Sequence, residues 1–176
     1  MTNPIRWIAL YSYSGRELSS VINMIERRPN TIITNSDTVI DDGWYLLQIK
    51  RGMILAEYHN LFGADPDNTL ITLHGWNRII PHEICKKYTI WNIHPGLISQ
   101  YPELKGKDPQ KKAFELKLPS SGVTIHRATE ELDSGPIIIE KEVDIQNCKE
   151  EIDVVNLLRE VGINLWSKVL REKLQK

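Results

Sequence analysis

Three side chains with complementary chemistry stand beside turn-forming residues in this sequence. Asn92 and His94 belong to the segment NIHPG at 92–96, and Asp133 belongs to the segment LDSGP at 132–136. An amide, an imidazole and a carboxylate are the groups needed to pass an acyl group to an amine. The pattern therefore favours an enzyme.

Each of these groups has a definite task in such a transfer. The reaction passes through a tetrahedral centre with a developing oxyanion, while the attacking nitrogen loses a proton and the leaving nitrogen gains one. The Asn92 amide can donate to the oxyanion, and His94, with a reference pKa of about 6.5, can carry protons near neutrality or help to hold the oxyanion. Asp133 can orient the imidazole, favour its charged form or hold a water that relays the proton.

Strands and helices alternate along the chain that has to position these groups. Apolar runs predict strands at 5–11, 31–34, 70–73 and 89–93, and a strand pair at 122–126 and 136–143. Helical spacing predicts helices from Leu18 towards Pro29, at 81–87, at 109–116 and, most clearly, from Val154 to Leu170. Between 41 and 59, strand and helix both remain open.

This alternation predicts an α/β fold, a doubly wound and mostly parallel twisted sheet in a single domain. Ligands of such sheets bind outside the carboxyl ends of the strands, where Asn92, His94 and the loop after Leu10 fall. Asn92 and His94 are two residues apart on an extended backbone, so their side chains can converge on one centre. An isolated Asn-x-His is nevertheless usually a strand cap, and an isolated Asp-x-Gly is usually a turn.

The combination of motifs resembles the folate-dependent formyltransferases, most closely the glycinamide ribonucleotide type. The similarity rests on NIHPGLI at 92–98, GVTIH at 122–126 and LDSGPI at 132–137, which occur in the family's order. It implies the Rossmann-like formyltransferase fold and the catalytic trio Asn92, His94 and Asp133. It also implies 10-formyltetrahydrofolate as the formyl donor, with donor contacts at Arg78, Ile79, Ile80, Gly122, Val123 and Asp133.

The acceptor side follows the family less closely. Acceptor contacts are predicted at Ser14, Gly15, Arg16, Pro95, Gly96, Lys107 and Glu160. The resemblance implies Glu160, whereas the first loop is predicted because Gly15 permits a tight turn before a helix and Arg16 adds a positive charge. In place of the family's Gly-rich phosphate loop, however, this chain has YSGRE at 13–17, in which Glu17 would repel a phosphate. The segment between the second strand and Leu70 is also short for the family, so the identity of the amine stays open.

Composition narrows the remaining classes of function. The chain has 176 residues, 22 basic and 23 acidic, with a net charge of −1, which disfavours a nucleic-acid partner. The two cysteines form no metal-binding pattern and suit a cytoplasmic location, and no apolar run is long enough for a membrane span. We therefore expect one catalytic domain over 1–176, without a metal and without a C-terminal RNA-binding domain.

Several functions remain compatible with the motifs. The leading prediction is an N-formyltransferase acting on a small, phosphorylated amine, with glycinamide ribonucleotide as the best candidate and purine biosynthesis as the setting. A nucleotide-linked amino sugar is an alternative acceptor, and a methionyl-tRNA formyltransferase or a formate-releasing hydrolase fits less well. A non-catalytic folate-binding or interaction module is the alternative of another class. Monomer and homodimer are both open.

Overall fold

A seven-stranded sheet with helices on both faces makes up the part of the chain that the structure describes. The structure is a computed structural model, and it describes residues 4–40 and 46–175. The strands are β1 (Arg6–Tyr11), β2 (Thr31–Thr34), β3 (Leu46–Gln48), β4 (Thr69–His74), β5 (Thr89–His94), β6 (Ser120–Arg127) and β7 (Ile137–Asp144). The helices are α1 (Arg16–Ile25), α2 (Leu55–Phe62), α3 (His82–Lys87), α4 (Pro109–Glu115) and α5 (Glu151–Leu174), with a short 3₁₀ helix at Pro102–Leu104.

The strand order places the predicted functional loops along one edge of the sheet. The order is β3-β2-β1-β4-β5-β6-β7. Neighbouring strands from β3 to β5 are parallel, β6 is antiparallel to β5, and β7 is antiparallel to β6. Successive crossovers run in opposite directions on the two sides of β1, which is the arrangement that opens a crevice at the carboxyl ends of the strands. The predicted doubly wound, mostly parallel sheet is confirmed.

The sheet separates two apolar cores. Alternate residues of β1 point to opposite faces, so that Trp7 packs in one core and Ile8 in the other. One core lies under α1, α4 and α5 and includes the fully buried Trp166. The other lies under α2 and α3 and includes Phe62. None of the helices among residues 4–40 and 46–175 is long and apolar enough to cross a lipid bilayer.

Most of the elements expected from the sequence are present. The terminal amphipathic helix is confirmed as α5, and the helix predicted at 109–116 is α4, which ends one residue earlier. The open segment at 41–59 contains strand β3 and the first five residues of α2. Residues 41–45, including Trp44, lie outside the described residues, so the choice between strand and helix there stays a prediction.

Two glycines allow the β6–β7 hairpin to close tightly around the loop of Asp133. A Cβ atom on Gly122 would lie 2.4 Å from the carbonyl oxygen of Lys141 on the paired strand. A Cβ atom on Gly135 would lie 1.9 Å from the carbonyl oxygen of Arg127. No side chain fits at these distances, so both positions require glycine for backbone packing. Gly122, for which the resemblance implies a donor contact, therefore also has a structural reason to be glycine.

Candidate active site

A buried carboxylate lies between two buried imidazoles at the end of the sheet. The Nδ1 atom of His94 is 3.3 Å from Oδ2 of Asp133. The Nε2 atom of His126, on the neighbouring strand β6, is 3.4 Å from Oδ1 of the same carboxylate. All three side chains are at most 6% exposed. Asp133 therefore faces one histidine with each of its oxygens, away from most solvent screening.

Backbone carbonyls determine which nitrogen of each ring can exchange a proton. His94 Nε2 is 2.7 Å from the carbonyl oxygen of Leu104, and His126 Nδ1 is 3.1 Å from that of Arg127. Because a carbonyl only accepts hydrogen bonds, those two nitrogens carry protons in this geometry. The nitrogens that face Asp133 are therefore the ones that can gain or lose a proton. Both ring nitrogens of His94 are engaged, so one must leave its partner before it contacts a substrate.

The pKa values of the His94 and Asp133 pair follow from burial and from each other's charge. Burial lowers the pKa of His94 below its ordinary value by penalising the imidazolium, while Asp133 and the Leu104 carbonyl act in the opposite direction. Burial works to raise the pKa of Asp133, but the hydrogen bond with His126, the charge of His94 and the amide of Gly106 outweigh it and lower that pKa. The carboxylate stays ionised beside an imidazole that can accept a proton.

Asn92 has a free donor at this centre. Its Nδ2 atom is 3.3 Å from Nε2 of His126. A side-chain amide carries two N–H groups, so one remains for a negative oxygen in the cavity that Asn92 lines. Asn92 lies in register with Leu73 of β4, and His94 is two residues further along the same strand. The two side chains leave the same face of β5, as the spacing predicted.

The loop after β6 holds Asp133 in an uncommon backbone conformation. Its φ angle is 50°, in the left-handed region, which aspartate and asparagine tolerate better than most residues. The amide N–H of Gly106 donates to Asp133 Oδ2 at 3.0 Å, and that of Arg127 donates to the carbonyl of Pro136 at 2.9 Å. These contacts tie the loop to β6 and to the loop before α4, and so position the carboxylate.

A cavity of about 790 Å³ surrounds Asn92, His94 and Asp133 and extends over both faces of the sheet. On one side it is lined by residues 76–80, Cys85 and 128–132, which we call the α3-side limb. On the other side lie Tyr13, Glu17, Lys107, Gln110, Arg159 and Gly162, which we call the α5-side limb. The arrangement can hold two ligands that meet at the amide, imidazole and carboxylate.

The cavity brings together many, but not all, of the residues predicted from the sequence. It is lined by the predicted catalytic trio and by Arg78, Ile79, Ile80, Val123, Pro95 and Lys107. Ser14, Gly15, Arg16, Gly96, Gly122 and Glu160 do not. Arg16 and Glu160 are exposed, and Gly96 lies under His94, where an added Cβ would be 3.1 Å from the imidazole. Ile79 lines the cavity although the residue is 89% exposed.

Some cavity residues were missed by the sequence analysis. Arg159 lines the α5-side limb together with Val155 and Gly162. These three positions recur at steps of four and three residues, so helical periodicity could have shown that they share a face of α5. His126 was not among the predicted site residues, and its contact with Asp133 depends on the pairing of β5 with β6, in which it lies opposite Asn92.

Comparison with known proteins identifies the family of this chain. Residues 55–170 match the family described as formyl transferase. The chain belongs to this family. A methionyl-tRNA formyltransferase of Bacillus thuringiensis is 33% identical over 127 residues, which cover 71% of this chain. The chain spans 39% of the length of that relative.

Solved structures of two kinds share the fold. A phosphoribosylglycinamide formyltransferase from Anaplasma phagocytophilum superposes with a TM-score of 0.82 at 23% identity, covering 96% of this chain and 86% of the other. A formyltetrahydrofolate deformylase from Pseudomonas syringae superposes with a TM-score of 0.81 at 22% identity, covering 99% of this chain and 62% of the other. The Rossmann-like formyltransferase fold is thereby shown, whereas these similarities leave the substrate open.

Proposed function

We propose that this protein is an N-formyltransferase that moves a formyl group from 10-formyltetrahydrofolate to the amine of a small, phosphorylated acceptor. The observation that carries the proposal is the placement of Asn92, His94 and Asp133 between the two limbs of one cavity. A donor in one limb and an acceptor in the other would meet at these three groups. Glycinamide ribonucleotide is the best single candidate for the acceptor, with a role in purine biosynthesis.

The α3-side limb suits the folate donor. It includes Trp76 and Leu132, which present apolar surface, together with residues 78–80, among them the cationic Arg78. A flat heterocycle needs apolar walls and a few fixed polar groups, which this limb supplies. The carboxylates of a folate tail would find a cation in Arg78. The donor contacts predicted at Arg78, Ile79, Ile80 and Val123 are retained in the proposal, and Gly122 is not.

The α5-side limb suits an acceptor with an anionic group. Lys107 and Arg159 both line it and bring two cations from different elements. Arg159 donates to Asn156 Oδ1 at 2.7 Å, which holds the guanidinium along the helix. A phosphate in this limb would form charge-assisted hydrogen bonds with such groups. Of the acceptor contacts inferred from sequence, Lys107 and Pro95 are therefore retained, and Arg159 replaces Glu160.

The proposed steps use the chain's own groups. The free N–H of Asn92 stabilises the oxyanion of the tetrahedral centre. His94 receives the proton of the attacking amine and returns one to the leaving nitrogen of the donor. Asp133 stays ionised and stabilises the imidazolium formed between these two transfers. Before the first transfer, Nε2 of His94 leaves the Leu104 carbonyl and the ring proton moves to Nδ1, which faces Asp133, so that an unprotonated Nε2 meets the attacking amine.

A specific observation favours the second candidate, a nucleotide-linked amino sugar. Glu17 lines the α5-side limb in the region where the related enzymes have a phosphate-binding loop, and its negative charge disfavours a phosphate there. A sugar hydroxyl would be accepted at the same place. This alternative keeps the donor and the reaction and changes only the acceptor.

The decisive experiment supplies the purified protein with 10-formyltetrahydrofolate and a panel of amines. The panel contains glycinamide ribonucleotide and several nucleotide-linked amino sugars, and the release of tetrahydrofolate is followed. We expect turnover with at least one of them, abolished in Asn92→Ala. Binding of the folate without turnover of any acceptor would favour the non-catalytic module and contradict the proposal.

A further inference from the structure

A buried chain of hydrogen bonds ends on a carboxylate in the α5-side limb. Trp7 Nε1 donates to Thr72 Oγ1 at 2.8 Å, and that oxygen is 2.9 Å from Nε2 of His74. His74 Nδ1 is 3.0 Å from Oε1 of Glu17. Trp7, Thr72 and the His74 side chain are fully buried, whereas the Glu17 side chain is 25% exposed and lines the cavity.

The two ends of this chain fix the direction of its hydrogen bonds. An indole N–H only donates, so the Thr72 oxygen accepts from Trp7, and an ionised carboxylate only accepts, so Nδ1 of His74 donates to Glu17. A neutral His74 then accepts the Thr72 hydroxyl hydrogen at Nε2. The Trp166 ring packs on the imidazole, with centroids 5.0 Å apart and planes at 39°. Glu17 is therefore held by a satisfied, closely packed network.

The free end of the network is a hydrogen-bond acceptor with a negative charge. Among the described residues, His74 is the hydrogen-bond partner of the Glu17 side chain, and it occupies Oε1. The second oxygen remains for a ligand. An ionised carboxylate accepts hydrogen bonds and repels phosphate, which is the opposite preference from that of Lys107 and Arg159 in the same limb.

We propose that Glu17, held in place by His74, binds a hydroxyl of a sugar in the acceptor and keeps phosphate away from this end of the limb. The acceptor is then an amine on a sugar whose anionic group lies towards the cations of the limb. This inference rests on the proposed formyl transfer and narrows its substrate class. It also explains why Ser14, Gly15 and Arg16 do not line the cavity: the first loop of this chain does not serve as a phosphate cradle.

The test replaces the charge of Glu17 without breaking the network. In Glu17→Gln, the amide oxygen still accepts from His74, but an NH2 group replaces the oxygen that faces the ligand. With the acceptor of the panel that the wild type uses best, we expect the KM for the acceptor to rise about 10-fold or more, as for a lost hydrogen bond to a charged group. The kcat and the KM for the folate should stay within about twofold of the wild-type values, because the lost contact stabilises the bound acceptor and the transition state equally.

Phosphate should bind better to Glu17→Gln, although the acceptor binds worse. Inorganic phosphate, added as a competitor of the acceptor, should inhibit Glu17→Gln more strongly than the wild type, because the repulsive charge is gone. Glu172→Gln, an exposed position near the end of α5, makes the same chemical change away from the cavity and is the matched control. Glu172→Gln should leave the KM for the acceptor and the inhibition constant for phosphate unchanged.

A second pair of variants tests the buried support. Thr72→Val removes the hydroxyl that connects Trp7 to His74 and should raise the KM for the acceptor in the same direction as Glu17→Gln, with the KM for the folate unchanged. Thr72→Ser keeps the hydroxyl and should restore the wild-type value. A merely structural role for Thr72 would lower the melting temperature of Thr72→Val without this selective effect on the acceptor.

The outcomes separate this inference from the function on which it rests. Turnover by the wild type, combined with unchanged acceptor KM and unchanged phosphate inhibition in Glu17→Gln, would overturn the inference and leave formyl transfer standing. Failure of the wild type with every acceptor would contradict the proposed function, and the inference would fall with it. A raised acceptor KM together with stronger phosphate inhibition would support both.

Discussion

At the scale of single residues, the carboxylate of Asp133 organises the candidate centre. It faces His94 with one oxygen and His126 with the other, while a backbone amide fixes its position. Each histidine is also anchored to a main-chain carbonyl through one ring nitrogen, so the other nitrogen of each ring points at Asp133. Asp133 therefore influences both the orientation and the protonation of His94.

Loss of the imidazole or of the carboxylate should slow the reaction much more than it weakens donor binding. We expect His94→Ala and Asp133→Asn each to lower kcat by about 10²-fold or more, because acid–base and electrostatic support for the transition state is removed. Steady-state kinetics and folate titration check this prediction. His59→Ala, which changes a histidine outside the cavity, is the control, and a near wild-type rate for either variant would remove its residue from the mechanism.

The pKa of His94 should depend on Asp133 in a defined direction. Burial lowers this pKa below its ordinary value and Asp133 raises it, so Asp133→Asn should lower it further. Asparagine tolerates the left-handed backbone at this position, which keeps the loop in place. NMR titration of the His94 ring in both proteins measures the change, with the His59 ring as the reference. A higher pKa in the variant would show that Asp133 does not stabilise the imidazolium.

At the scale of elements, the hairpin of β6 and β7 sets the position of the Asp133 loop. The backbone of this loop passes so close to β6 that Gly135 has no room for a Cβ atom beside the Arg127 carbonyl. The same constraint holds for Gly122 beside Lys141. The glycines of the motifs at 122–126 and 132–136 are therefore required by strand packing, and they act on the site through the position of Asp133.

Substitution of Gly135 should disturb both stability and activity. Gly135→Ala forces the Arg127 backbone or the loop to move, and we expect a loss of about 2–4 kcal/mol in the free energy of unfolding together with a lower kcat. Urea unfolding and steady-state kinetics measure the two effects. Gly52→Ala is the matched control, because nothing lies within 4 Å of the added carbon, and it should change stability by at most about 0.5 kcal/mol. Equal stability of the two variants would contradict the tight approach.

At the scale of the whole molecule, the sheet divides the cavity into two limbs that meet at its edge. The α3-side limb is formed on the face of α2 and α3, and the α5-side limb on the face of α1 and α5. β5 carries Asn92 and His94 to the boundary between them. This geometry allows donor and acceptor to be bound together, and in the proposed reaction the formyl group would pass directly from one to the other.

Direct transfer predicts sequential kinetics and no covalent intermediate on the protein. Cys85 is the thiol that lines the cavity, and burial raises its pKa, so it does not provide a thiolate nucleophile. We expect intersecting double-reciprocal plots when both substrates are varied. Cys85→Ala should keep kcat within a few-fold of the wild type. Parallel plots, or loss of turnover in Cys85→Ala, would indicate a formylated enzyme and contradict direct transfer.

The sequence by itself determined the fold class and the family, and it predicted the three side chains of the candidate centre. Apolar runs and helical spacing act locally, so they indicated β1, β4, β5 and the terminal helix before any packing was known. The spacing of Asn92 and His94 also determined that they share one face of a strand. The remaining assignments needed contacts between distant segments.

Only the tertiary structure decided how those segments meet. The pairing of β5 with β6 brings His126 to Asp133, and the packing of α1 and α5 on β4 joins Glu17 to His74 and exposes Arg159 rather than Glu160 to the cavity. Such contacts depend on register and on the rotation of a helix about its axis. A shift of one residue in register reverses which side chains of a strand face the site, and a shift of one residue along a helix turns its side chains by about 100°. The local pattern of the sequence does not fix either shift for residues outside the apolar face.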